Sequence, residues 1–300
     1  MPELILIRYG ELALKSSPVR REFEAVLRRN ILDQFVRAGI SGRLRADHGH
    51  LYAEVDEAEV ALGLLRRVFG ITSVSRVHEV PSERTAIAAR LLELSDARLP
   101  PGATFAVRAR RTGGRHPFSS QELAAELGGA ILERFSDRSL KVDLEDPSVE
   151  LFVEVRGPRT YLSFDRVRGP GGLPLGVAGR LVALVDGPRG ALGAYLMMKR
   201  GCRVGLVTVP DGEPLARDVL SRFDPAVRIV AAAPEPTEWA RRIAELSVQS
   251  HAEGVVLPIR VDDYPAARAQ WGESVLFSPT VGFTDEEVDD RWKRAAALAE

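Results

Sequence analysis

Cysteine is almost missing from this 300-residue chain, which holds only Cys202. A disulfide within the chain, a cysteine-built metal site and a two-cysteine redox relay are thereby excluded. No run of eighteen apolar residues occurs, and the opening MPELILIRYGEL has no basic stretch ahead of a long apolar core. A protein without a membrane span, working in the cytoplasm, is expected. Lysine is scarce as well: of 41 cations only Lys15, Lys141, Lys199 and Lys293 are not arginine. That excess favours planar, bidentate partners, or reflects a GC-rich genome. Repeats and low-complexity segments are also lacking. What remains is 45% hydrophobic and 28% charged, ordinary for a chain that buries a good core in two or three domains.

The net charge of -1 hides an asymmetry. Gly102 to His116 carries Arg108, Arg110, Arg111 and Arg115 with no acid, whereas Asp285 to Asp290 holds five acids in six residues. Those acids suit the first turn of a terminal helix capped by Thr284, and the preceding Ser278 to Phe283 reads as a loop.

Residues Leu4 to Arg8 read as a strand, after which Ser17-Pro18 opens a helix with Ser17 as cap and Pro18 at the first helical position. Two short strands follow around Asp47-His48-Gly49-His50, then a helix from Glu57 to Val68 with Val60, Leu64 and Leu65 as its apolar face, and a strand near Ser73 to His78. Strand, helix, strand, strand, helix, strand is the ferredoxin-like order. A helix from Arg84 to Leu94 starts the next unit. In the strand Thr104 to Arg110, Phe105, Val107 and Ala109 share one face, and Arg108 and Arg110 the other. Ser119 with Glu122 forms a capping box, and Phe118 with Leu123 a hydrophobic staple, for the helix running to about Phe135. Strands near Lys141 to Leu144, Leu151 to Val155 and Thr160 to Asp165 close the unit.

A turn-rich linker, RGPGGLPLGVAG, leads to a third unit. There strands at Leu181 to Val185, Arg203 to Val209, Val227 to Ala231 and Gly254 to Pro258 alternate with helices at Gly190 to Arg200, Glu213 to Phe223 and Glu238 to His251. Such alternation predicts a small parallel, Rossmann-like sheet. The expected whole is an α/β multi-domain protein with domains 1–78 and 79–167, a linker 168–180, and a third domain 181–300.

Three stretches taken together, RYGELALKS at Arg8 to Ser16, FAVRARRTGGRHPFSSQELAAELGG at Phe105 to Gly129, and GGLPLG with the strand-loop-helix ending YLMMKRGCRV at Gly171 to Val204, resemble one family. The chain resembles the tRNA 4-thiouridine synthetases, or tRNA sulfurtransferases, which are also linked to thiamine biosynthesis. The resemblance is collinear to about residue 209. It implies an N-terminal ferredoxin-like domain, a tRNA-binding THUMP domain and an adenylating PP-loop domain that uses ATP.

The family loop Ser-Gly-Gly-x-Asp-Ser aligns here with Asp186-Gly187-Pro188-Arg189-Gly190-Ala191. Both serines, the second glycine and the aspartate are replaced. Pro188 removes an N–H, Asp186 brings a carboxylate to an anion site, and Ala191 lacks a hydroxyl, with Arg189 the one compensating cation. Asp186, Gly187, Arg189 and Gly190 therefore mark a degenerate nucleotide site, and no bound cofactor is expected. Cys202, placed after the helix-ending Gly201, reads as a buried, inert thiol, leaving no catalytic residue to assign. The longer family members carry a C-terminal rhodanese-like domain, for which the chain is expected to have no room.

The THUMP-like frame turns Arg108, Arg110, Arg111, Arg115 and His116 into candidate RNA contacts, a basic, glycine-flexible loop beside a helix N-terminus. Lys15 and Arg20, with Arg21 beside them, are candidates for the same surface. Since the loop has few aromatic groups, readout by backbone and shape is expected. By resemblance the partner is tRNA, gripped at its acceptor stem. A sulfur donor, a catalytic partner protein and a second copy of the chain are the other partners considered. The histidines of DHGH lack a third ligand and read as turn residues, so no metal is expected. Three functions stay open: a tRNA-binding homologue without adenylation, an active ATP-dependent sulfurtransferase, and a structural subunit recruiting a catalytic partner.

Overall fold

The computed structural model describes residues 2–10, 16–47, 49–114 and 116–300. Lys15, His48 and Arg115 lie outside the described residues. The chain divides into two compact units that interleave in sequence: Met1–Arg8, Ile40–Leu62 and Val74–Val167 form the first, and Tyr9–Gly39, Gly63–Ser73 and Arg168–Glu300 the second.

The N-terminal elements are β1 (Glu3–Tyr9), α1 (Ser17–Arg37), β2 (Gly42–Asp47), β3 (His50–Val55), α2 (Ala58–Leu65) and β4 (Ile71–Pro81), the ferredoxin-like order. Two local details differ from the sequence reading. The cap of α1 is Ser16, not Ser17, and its side chain makes no capping bond. In α2 the buried set is Ala58, Ala61, Leu62 and Leu65, while Val60 is 47% exposed, so the helix is turned from the expected phase. The next elements are α3 (Arg84–Ser95), β5 (Thr104–Thr112), α4 (Ser120–Arg134), β6 (Lys141–Val142), β7 (Val149–Arg156) and β8 (Arg159–Ser163). Strand order β2-β3-β1-β4-β8-β7-β5-β6 runs both sets into one sheet, because the long β4 neighbours β1 on one side and β8 on the other. One face of β5 and β7, with Phe105, Val107, Leu151 and Val153, buries against Ile87 and Leu91 of α3 and Leu123 and Leu127 of α4. The period of two then sends Arg108, Arg110, Glu150 and Glu154 to the other face.

The short strand β9 (Val167–Arg168) precedes the second unit's sheet, made of β10 (Arg180–Val185), β11 (Arg203–Thr208), β12 (Ile229–Ala231), β13 (Gly254–Val256) and β14 (Leu276–Phe277). Its order is β12-β11-β10-β13-β14 with every pairing parallel. The helices are α5 (Pro188–Lys199), a π-helical turn Leu215–Leu220 running into α6 (Ser221–Phe223), α7 (Pro236–Ser250), α8 (Tyr264–Trp271) and α9 (Asp285–Ala296). The run LVALV is apolar throughout because both faces are covered: Leu181, Ala183 and Val185 join the core of α5 and α9, Val182 and Leu184 that of α7 and α8. The sheet therefore has one strand, β14, and one helix, α8, beyond those expected. The GGLPLG stretch lies along the end of α5, where Leu173 N donates to Lys199 O (2.9 Å) and Gly176 N to Gly201 O (2.8 Å). Among the described residues no helix is long and apolar enough to cross a membrane.

Candidate functional site

The first unit carries the arginines. Strand β5 continues to Thr112, and Gly113 and Gly114, both at positive φ, turn the chain toward α4. The turn leads into the capping box: Ser119 Oγ accepts from Glu122 N (3.1 Å), and Glu122 Oε2 accepts from Ser119 N (2.7 Å). That fixes where the loop must end. Arg111 Nη1 donates to the carbonyls of His116 (3.2 Å) and Phe118 (2.5 Å), so its guanidinium braces the loop. His116 is half-buried, with its ring centroid 5.5 Å from that of Phe118. Arg108 is engaged too, with Glu150 at 2.8 Å and the Leu144 carbonyl at 2.9 Å. Arg110 differs: it is exposed, and among the described residues it has no hydrogen-bond or ion-pair partner. Among the described arginines of the cluster, the structure thus separates one available cation from two whose guanidinium groups also hold protein oxygens.

Beside Arg108 lies an apolar groove of about 740 Å³ between β5, β6 and α4. Ala124, Gly128, Val142 and Leu144 line it, the last two 50% and 63% exposed.

Arg110 stands opposite Glu154 in the β5–β7 register. Glu154 is the centre of a buried charge network that the sequence did not reveal. Arg8 Nε donates to its Oε1 (2.9 Å), Arg8 Nη1 to Ser75 Oγ (2.9 Å), and Arg156 Nη2 to the second carboxylate oxygen. Arg156 also stands 2.7 and 2.9 Å from the two ring nitrogens of His50, of which a neutral imidazole offers one as acceptor. Burial pushes the Glu154 carboxyl up, but Arg8 and Arg156 more than offset it and hold the pKa below the usual value. His50 is thereby occupied within the protein, and among the described residues no group of three metal-ligating side chains occurs. Arg20, the remaining candidate, is half-buried in α1 and belongs to the other unit.

The second unit carries the loop Asp186 to Ala191. In an open parallel sheet the crevice lies at the strand carboxyl ends where the order reverses, here between β10 and β13. Asp186 and Gly187 follow β10 at that point, and α5 begins at Pro188. Asp186 reaches solvent, yet loop atoms crowd its carboxyl and desolvation raises its pKa, which Arg189 only partly offsets. The floor is tight as well, since a Cβ on Gly190 would press on the Asp186 carboxylate and the backbone of residues 184 and 185. Arg189 turns away into the Ser278 to Phe283 loop. Its Nη1 donates to Thr280 O (2.6 Å) and its Nη2 to Phe283 O (2.8 Å) and Asp285 Oδ1 (2.9 Å). Arg260, just after β13, reaches the same Asp285 carboxylate at 2.5 and 2.7 Å. Arg189 and Arg260 together lower the Asp285 carboxyl pKa from its ordinary value. Residues from both sides of the switch point are therefore joined through the first residue of α9. That helix keeps its expected Thr284–Glu287 capping box. Cys202 is buried, its Sγ donating to Ala178 O (3.2 Å), and burial pushes the thiol pKa up, as an inert thiol requires.

Residues 4–75 match the ThiI ferredoxin-like domain family and residues 85–165 the THUMP domain family. The probable tRNA sulfurtransferase of Methanocaldococcus jannaschii is 33% identical over 240 residues, covering 75% of this chain and 62% of that protein. The one from Methanothermobacter thermautotrophicus is 38% identical over 208 residues, covering 67% of this chain and 51% of that one. The chain thus spans between half and two thirds of the length of these relatives. Among solved structures, PH1313 from Pyrococcus horikoshii superposes with a TM-score of 0.80 at 25% identity, covering 97% of this chain and 99% of its own. A 4-thiouridine synthetase solved with RNA and bound ATP shares the fold, with a TM-score of 0.74 at 21% identity over 100% of this chain and 86% of its own. The chain is a homologue of the tRNA sulfurtransferases, carrying the ThiI ferredoxin-like and THUMP domains between residues 4 and 165.

Proposed function

We propose that the chain is a tRNA-binding member of this family in which the loop Asp186 to Ala191 no longer serves adenylation. The observation that carries the reading is the placement of Arg189. It is the one cation the altered loop gained, and its donors go to Thr280, Phe283 and Asp285. ATP does not fit the remaining residues. Pro188 has no N–H, Ala191 is fully buried without a hydroxyl, and the Ala191 amide already donates to Gly187 O (2.9 Å). A triphosphate would meet the Asp186 carboxylate with few donors to offset it.

The tRNA-binding part of the reading rests on Arg110 at the end of β5, next to a loop that Arg111 stiffens. A stiff loop loses less conformational freedom on binding than a mobile one. Interactions of this kind are made to phosphates and weaken as salt rises.

Calorimetry with ATP, with and without tRNA, on the chain and on a variant with residues 186 to 191 rewritten as SGGIDS, tests the first part. Binding only by the rewritten chain is expected. Pyrophosphate release stimulated by tRNA in the unaltered chain would refute it and make the protein an active sulfurtransferase. For the second part, Arg110→Ala with Arg111→Ala should weaken tRNA binding about tenfold or more at moderate salt and flatten its salt dependence. Unchanged binding of that double variant would remove it.

A further inference from the structure

The second unit holds a group of cations that the reading above leaves without a task. Arg66 and Arg67, just after α2, and Arg222 of α6 converge on the turn that follows α9. Arg66 Nη2 donates to Ala297 O (3.1 Å), Arg222 Nη1 to Ala299 O (3.1 Å), and Arg67 Nη2 to Glu300 O (3.0 Å). Their acceptors lie within four consecutive residues, so the three guanidinium groups crowd one spot.

No acidic side chain answers this crowding. Among the described residues no aspartate or glutamate side chain lies within ion-pair distance of any of the three, although many other arginines have such a partner. Burial lowers the Arg67 pKa, and the charges of Arg222 and Arg66 lower it further. A helix C-terminus supplies only about half a negative charge. Each guanidinium has five donors and gives one bond here, with the Nε of Arg66 and of Arg67 buried and unpartnered. Capping the helix end accounts for one arginine, not for three. Arg222 is exposed and Arg66 and Arg67 half-buried, so the group stays within reach of a ligand from solvent.

We infer that Arg66, Arg67 and Arg222 form a binding site for a phosphate-type oxyanion, and that its occupant is a backbone phosphate of bound RNA. The RNA part rests on the tRNA-binding reading; the oxyanion part stands without it. Forked guanidinium donors can share the non-bridging oxygens of a phosphate better than single point charges would.

The test uses the whole chain, Arg222→Gln, and Arg66→Gln with Arg67→Gln, each checked for folding by circular dichroism. In one arm, thermal unfolding is followed with inorganic phosphate against sodium chloride of equal ionic strength. Phosphate should raise the midpoint of the unaltered chain above the chloride control, and the variants should lose that difference. In the other arm, tRNA binding is measured over a salt series. Each variant should bind about three- to tenfold more weakly near 0.1 M salt, with the slope of log K against log salt reduced by roughly 0.7 to 0.9 for each phosphate that is no longer neutralised. Loss in both arms supports an RNA phosphate, and loss in the first alone assigns the site to free phosphate. No phosphate effect and no change in tRNA binding would overturn the proposal. Should the double variant fail to fold, the exposed Arg222→Gln decides alone. The Arg110, Arg111 double variant, run alongside, reports on the β5 surface, so the two readings can fail separately.

Discussion

Replacing Arg189 by alanine should loosen the second unit selectively. Its side chain is 12% exposed and gives two charge-assisted bonds to backbone carbonyls, those of Thr280 and Phe283. A hydrogen bond from a charged group contributes about 1.5–3 kcal/mol net, and a carbonyl left unmet in a part-buried site costs a share of the same quantity again. Because the two bonds act through one group, the sum is not simply additive, and about 2–4 kcal/mol is expected. For a unit of this size the midpoint should fall by roughly 2–4 °C per kcal/mol. The bond to Asp285 is left out of this sum, since Asp285 is exposed and Arg260 also holds it. Scanning calorimetry or urea unfolding measures the change, and limited proteolysis should find new cleavage between Ser278 and Thr284. Arg189→Lys should recover only part of the loss, because one ammonium cannot copy the fork that reaches both carbonyls. Arg260→Ala is the control, as its pair is exposed on both sides and should leave the midpoint nearly unchanged. A loss under about 1 kcal/mol for Arg189→Ala, or an equal loss for Arg260→Ala, would refute the view that Arg189 is a structural clasp.

Other consequences can be checked in the same way. Glu154 has a depressed pKa in the folded chain, so its contribution is complete above the unfolded value near 4.3 and is lost as pH falls through the lower folded value; unfolding midpoints of the parent chain against Glu154→Gln should converge in acid. At neutral pH Glu154→Gln should cost about 3–5 kcal/mol, because it leaves Arg8 and Arg156 buried without their counter-charge; a loss independent of pH would count against this assignment. Arg110→Ala alone should reduce the salt slope of tRNA binding without changing stability, whereas Arg111→Ala should also lower the melting temperature by releasing the loop; identical behaviour of the two would contradict their different partners. Gly172→Ala combines a positive φ with a Cβ that would overlap Lys199 O and should cost about 2 kcal/mol or more, while Gly171→Ala, with open space around it, should cost only about 1 kcal/mol of backbone strain.

What could be read in the sequence was what is local. The alternation of Phe105, Arg108 and Arg110 and the Ser119–Glu122 box need only neighbouring residues, and the structure has both. The partners of the arginines were not legible because they depend on register between distant strands. Arg108 reaches Glu150 only once β5 lies beside β7 in parallel, and Glu154 is paired with Arg8 only once β1 and β7 belong to one sheet. The same distance hid the fate of Arg189, whose carbonyl acceptor Thr280 lies 91 residues away in a loop without any recognisable pattern. Short elements were missed for another reason. Strand β14 has two residues and α8 only eight, too few for periodicity to register. The misplaced face of α2 is a related failure, since nearly every residue from Ala58 to Leu65 is apolar and the pattern allows several phases.

On the proposed reading, the loop Asp186 to Ala191 has changed while the frame around it has not, and their places at opposite ends of one helix explain how that could happen. Ligand contacts in such a site come from the strand-helix turn and the first turn of α5. The fold depends instead on Ala191, Ala194 and Met198, which bury beneath the sheet, and on the far end, where Lys199 O and Gly201 O accept from the GGLPLG stretch. Gly201 must stay glycine, for its φ is +95° and a Cβ would press on Val177 and Leu173. Pro188 is acceptable at the other end because a helix start leaves its first N–H groups unpaired in any case. Substitutions in the turn therefore remove donors for a ligand without breaking a bond that the helix needs. Position 189 was the free position of the motif, and an arginine there reaches outward to the loop before α9 and closes the unit from its ligand side. On the proposed reading, the free position of the family loop is thus held by a residue whose bonds tie the turn to the chain before α9.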